Sequence, residues 1–160
     1  MDIDKICFVF ICQAGELEAQ AVLLAVSLRH FLKEDHDLVA AVPVPARRWG
    51  TLSEKTLEAL KLLNVRLIEV QNKISEDYPI GNKLACLALE TDCQKVVFLD
   101  TDVIMMRGFD ESSAFEAPIS AVPESGIVAN FEDWEQLYAK FDLPLPKQRM
   151  TTTVRKEESL

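Results

Sequence analysis

Lys95-Val96-Val97-Phe98-Leu99-Asp100-Thr101-Asp102 is the stretch on which the fold turns. Val96 to Leu99 is a short unbroken apolar run, read as a strand buried in a parallel sheet. In open α/β sheets the carboxyl ends of such strands border the crevice that binds ligands. Asp100 and Asp102 are one residue apart, so a period-two alternation sends both carboxylates to the same side. Like charges held that close repel, and a cation is the natural compensation. Ligands that are all oxygen favour Mg²⁺, Mn²⁺ or Ca²⁺ over Zn²⁺. A bare Asp-x-Asp fits an acidic turn equally well, so the surrounding sequence has to decide.

Working outward, Ile6 to Cys12 is a second unbroken apolar run and reads as a central strand. Gln13-Ala14-Gly15 makes the turn, and a helix follows to about Lys33. Leu17, Ala21, Leu24, Ala25, Leu28 and Leu32 recur at threes and fours, which gives that helix one apolar stripe. Asp37 to Val42 reads as the next strand, ended by Pro43 and Pro45. Thr51-Leu52-Ser53-Glu54 has the form of a capping box and opens a helix to Leu63. Val65 to Val70 is the third strand. Asn82 is placed to cap a helix that includes Lys83 and runs to about Glu90. After Val96 to Leu99 come a strand at Ile119 to Val122 and a short helix from Asn130 to about Phe141, stopped by Pro144 and Pro146. Strands alternating with helices imply right-handed crossovers and a mostly parallel sheet between two helical layers, an α/β/α fold. Residues 1–147 form the expected domain, and 148–160 read as a polar, frayed tail.

The chain has 160 residues, enough for one domain that buries roughly 68–70% of its unfolded surface. A net charge of −9 argues against an open nucleic-acid surface, which needs basic excess. No apolar stretch is long enough to span a bilayer, and the acidic start Met1-Asp2-Ile3-Asp4 is unlike a signal peptide. A cytoplasmic protein is the expectation. Cys7, Cys12, Cys86 and Cys93 form no C-x-x-C pair and no zinc spacing, and read as buried free thiols. His30 and His36, near the end of the first helix, are expected at the surface or at a cap.

Three blocks carry a resemblance. Tyr78-Pro79-Ile80-Gly81-Asn82-Lys83-Leu84-Ala85-Cys86 is followed by Cys93 to Val103 and then by Phe109-Asp110-Glu111. Together with Phe8 to Gln13 and Ala21 to Arg29, they resemble the nucleotide-sugar-binding half of glycogenin-like glycosyltransferases of the GT-A fold, from the first strand to about Glu124. The resemblance implies a metal-dependent glycosyltransferase whose donor is a UDP-sugar and whose cofactor is Mn²⁺ (or Mg²⁺). It implies that Asp102 ligates the metal and that Asp100 binds both metal and ribose. Thr101 would offer its backbone to the nucleotide, Lys83 a point charge to the donor, and Ile11, Gln13 and Ala14 would border base and ribose. Lys83 in a first helical turn is unfavourable for a cation on helix-dipole grounds, which fits a functional charge.

The chain departs from the family at Gln13, Ala14 and Leu17, where the family offers threonine, asparagine and an aromatic. The family's Phe-Asn-[Ala/Ser]-Gly segment and its later histidine do not follow Val122. The expectation is therefore a donor-binding half, truncated on its C-terminal side, that binds donor weakly and transfers sugar slowly or not at all to an unknown acceptor. Three other readings stand beside it. One is a non-catalytic nucleotide-sugar-binding or structural module. Another is a phosphatase of the haloacid-dehalogenase kind, although its Asp-x-Asp strand comes first in the domain and this one comes fourth. The third is a plain α/β interaction domain that binds neither metal nor nucleotide.

Overall fold

The computed structural model describes residues 6–32, 36–75, 77–108, 131–147, 150–151 and 158–159. The chain divides into two compact units, Met1–Ala114 and Phe115–Leu160. The first unit alternates strand and helix. The elements are β1 (Ile6–Ile11), α1 (Glu16–Phe31), β2 (Asp37–Val44), α2 (Ala46–Trp49), α3 (Glu54–Leu62), β3 (Val65–Gln71), α4 (Gly81–Leu87) and β4 (Lys95–Phe98). All four strands are parallel, in the order β3-β2-β1-β4. The protein is therefore α/β, with the all-parallel sheet and helical crossovers of a GT-A-like fold.

That order fixes where the helices lie. The crossovers through α1 and α3 step from β1 to β2 to β3 in one direction, and the crossover through α4 returns past them to β4. With right-handed connections, α1 and α3 cover one face and α4 the other. The packing agrees. Cys7, Val9 and Ile11 of β1 cluster with Val39 and Ala41 of β2, Val70 of β3 and Cys86 of α4. Period-two alternation sends Phe8 and Phe10, both fully buried, to the opposite face. Burial on both faces explains why β1 reads as an unbroken apolar run.

Pro43 lies inside β2, whereas the sequence places it as a strand terminator. The Cys12 N–H donates to the Ala41 carbonyl at 2.9 Å, so odd-numbered residues of β2 turn their backbone groups toward β1. β1 is paired only as far as Ile11 opposite Ala41, while β2 runs on beside β3 to Val44 and Gln71. The donor that proline lacks therefore faces a side where the neighbour has already ended.

The turn between β1 and α1 is tied down by Glu18. One oxygen of its carboxylate accepts from the Gly15 N–H at 3.1 Å. The other accepts from the Ser53 N–H at 2.9 Å and the Ser53 hydroxyl at 2.7 Å. Ser53, not Thr51, caps α3, its hydroxyl accepting from the Thr56 N–H at 3.3 Å. Hydrogen bonding to Thr56, then to Ser53 and Gly15, lowers the Glu18 carboxyl to about 2. A carboxyl depressed in the folded state stabilises above its unfolded value, and that contribution is lost as pH falls toward about 2. Glu18→Gln should therefore lower the melting temperature at neutral pH, and the gap from the parent should close as the pH falls from about 4.5 to about 2. A gap that stays constant over that range would show that the charge contributes nothing.

His36 is buried, its ring meeting Phe8 edge-on at 5.5 Å, and its carbonyl accepts from the Arg29 guanidinium at 2.8 Å. This corrects the surface placement expected for it; His30 is exposed, as its sequence position implied. Burial pushes the Cys12 and Cys86 thiols up to about 12, which suits their role as small core hydrophobes.

In the second unit, α5 (Phe131–Lys140) ends at Asp142, whose φ of 53° closes the helix with a bond from the Asp142 N–H to the Ala139 carbonyl. Strands β5 (Met150–Thr151) and β6 (Glu158–Ser159) pair antiparallel in the segment read as a tail. The expected strand at Ile119 to Val122 and the cap at Asn130 lie outside the described residues. No helix among the described residues is long and apolar enough to cross a membrane.

Candidate active site

The connection through α4 reverses the direction of strand succession, so the topological switch point falls between β1 and β4. A cavity of about 290 Å³ opens there, at the carboxyl ends of the two strands. Ile11 and Gln13 come from the end of β1, Asp100, Thr101 and Asp102 from the end of β4, and Asn82 and Lys83 from the first turn of α4. Leu17 and Gln20 of α1 close one side, and Pro79 and Ile80 another.

The aspartates sit on a turn rather than on the strand itself. β4 ends at Phe98, the Leu99 N–H still reaches the Val9 carbonyl at 2.9 Å, and the Val103 N–H donates to the Asp100 carbonyl at 3.3 Å. The intervening Thr101 points inward, its hydroxyl donating to the Ile11 carbonyl at 3.0 Å. Both aspartates border the cavity and are exposed. A second tether holds the following loop, where the Met105 N–H donates to the buried Ser27 hydroxyl at 3.0 Å.

Lys83 Nζ pairs with Asp100 Oδ1 at 2.5 Å, both side chains about half exposed. The carboxylate explains how a cation is tolerated in the first turn of a helix. Asn82 does not cap α4. It lies inside the helix, almost fully buried, with Nδ2 donating to Gln13 Oε1 at 3.4 Å and Oδ1 lacking a partner. α4 is also shorter than expected, because Ala88 and Leu89 bond back to Ala85 and Cys86 in tighter three-residue turns.

The start of α4 is set by Asn72. Its Nδ2 donates to the Tyr78 carbonyl at 2.8 Å, and its Oδ1 accepts from the N–H groups of Ile74 and Ser75 at 3.0 and 3.3 Å. Ala14, expected at the site, packs instead toward Gly50, where an added Cβ would lie 2.5 Å from the Ala14 Cβ. It is not among the residues that line the cavity. Gln20, Pro79 and Ile80 also line it and were not among the expected site residues. The available signals were the place of Pro79 and Ile80 in the block that carries the resemblance and the position of Gln20 one helical turn beyond Leu17.

The model of a Rhodobacterales glycosyltransferase domain matches residues 8–160. The chain belongs to this glycosyltransferase domain family. No curated protein matches it. The match covers nearly the whole sequence, including every residue that lines the cavity.

Proposed function

We propose that this glycosyltransferase domain binds a nucleotide-diphospho-sugar, most simply a UDP-sugar, with a hard divalent cation such as Mn²⁺ or Mg²⁺, and transfers the sugar to an acceptor. The observation that carries the reading is the cavity at the switch point, bordered by Asp100 and Asp102 on one element and Lys83 on another, in a chain of this family. The donor set fits such an ion, since two exposed carboxylates beside an open cavity offer only oxygen. When bound, the ion neutralises the diphosphate and its departing charge.

The chain's own residues divide the remaining work. Lys83, held by Asp100, is within reach of a diphosphate brought to the same carboxylate and can exchange one anion for the other. Ile11, Leu17 and Ile80 give an apolar wall for a base, and the amides of Gln13 and Gln20 offer it neutral hydrogen bonds. Thr101 and Ser27 hold the aspartate turn so that both carboxylates keep one orientation. The aspartate strand lies fourth in the chain, unlike that of the phosphatases considered from the sequence.

The test is calorimetric titration of the chain with UDP, with and without Mn²⁺. Binding that requires the ion supports the reading, and equal affinity in both conditions overturns it. Lys83→Ala gives a second check. Stability should stay within about 0.5 kcal/mol, as for other surface changes. Without UDP, Mn²⁺ should bind a few-fold more tightly because the competing ammonium is gone, while affinity for UDP with Mn²⁺ should drop. A large stability loss with unchanged UDP affinity would make Lys83 a structural residue.

A further inference from the structure

At the end of the sheet opposite the cavity, two thiols and a carboxylate meet. Cys7, near the start of β1, stands in register with Asp37 at the start of β2 on one side and with Val96 of β4 on the other. Cys93 lies in the loop just before β4, its N–H held by the Thr91 hydroxyl at 3.2 Å. One sulfur from each cysteine and one oxygen of Asp37 all lie within 4.8 Å of one another. Arg66 of β3 reaches across to Asp37, Nη2 to Oδ2 at 2.6 Å.

We propose that Cys7, Asp37 and Cys93 form a binding site for a thiolate-preferring divalent cation, Zn²⁺ being the simplest, separate from the site at Asp100 and Asp102. Two sulfurs and one oxygen make a donor set suited to Zn²⁺ rather than to Mg²⁺ or Mn²⁺. Tetrahedral zinc with bonds of about 2.3 Å to sulfur holds its sulfurs roughly 3.8 Å apart, so closure from the observed spacing needs movements of about 1 Å or less. Three protein ligands leave a fourth position for water. Binding expels the two thiol protons to solvent. The two thiolates and the carboxylate then outweigh the ion by one negative charge, which the Arg66 guanidinium offsets while it orients Asp37 from behind. Such an ion would join the first turns of β2, β1 and the β4 approach, three neighbouring strands whose ligands are far apart in sequence. Cys12 and Cys86 are buried in the core and take no part in the cluster.

The test titrates the reduced full chain with Co²⁺ and then Zn²⁺. The expected result is a thiolate-to-cobalt charge-transfer absorption at one equivalent, abolished by stoichiometric Zn²⁺, with two protons released per ion. Cys93→Ser, at a partly exposed position, should lower Zn²⁺ affinity at least tenfold and leave Mn²⁺-dependent UDP binding unchanged. Asp37→Asn should weaken Zn²⁺ binding too, while Asp102→Asn leaves the cobalt spectrum intact. Absence of the charge-transfer band would overturn the proposal. So would a band that survives Cys93→Ser, or a pair whose only chemistry is oxidation to a Cys7–Cys93 disulfide without metal binding.

Discussion

Asp102→Asn is expected to weaken Mn²⁺-dependent UDP binding by more than tenfold, on the order of 1.4 kcal/mol or greater. The substitution keeps the shape of the side chain and removes its charge. Asp102 borders the cavity and forms no ion pair among the described residues, whereas Asp100 is already engaged by Lys83. Its carboxylate is therefore the one available to a cation without prior exchange. Because the side chain is exposed, the melting temperature should hardly change. The decisive comparison is affinity with and without Mn²⁺ in parent and variant. If both proteins gain equally from the ion, Asp102 is not a ligand.

The second large effect is structural. Gly81→Ala should lose about 1–3 kcal/mol of stability through overpacking. A Cβ at Gly81 would sit 2.5 Å from Asn72 Oδ1, 2.6 Å from Nδ2 and 2.8 Å from Cγ. Asn72 has no room to give way, since its amide is fixed by three backbone groups of the loop that leads into α4. The displaced segment begins α4, and the next two residues are Asn82 and Lys83, so UDP affinity should fall together with stability. Chemical denaturation reads the first quantity and titration the second. A variant as stable as the parent would mean that Asn72 can repack and that the contact does not set the start of the helix.

The parallel sheet was legible because β1 and β4 are apolar runs bounded by turn residues, and α1 shows a clear stripe. Pro43 misled, because a proline normally stops a strand, and only the sheet order reveals that its missing donor lies beyond the paired length of β1. Asn82 has the composition of a cap, yet its place inside α4 follows from Asn72 and Gln13, which the local sequence does not announce. The aspartate pair could be found from spacing and Lys83 from the family resemblance, and the structure brings all three to one cavity. The tethers could not. Thr101 depends on a carbonyl ninety positions away and Ser27 on an amide seventy-eight away. Cys7 and Cys93 are likewise invisible to any spacing rule, because the pairing of β1 with β4 is what unites them.

The bond from Thr101 to Ile11 spans nearly the whole first unit, and this has a kinetic consequence. Contacts so distant along the chain form only after the loop-closure cost of docking β4 beside β1 has been met. The cavity cannot pre-exist that event, since its two walls belong to the first and last strands of the sheet. During refolding, competence to bind nucleotide should therefore arise together with the final strand docking and not with earlier helix formation. A ligand held between those strands would slow unfolding more than it speeds folding, acting as a clasp on the step that opens the sheet.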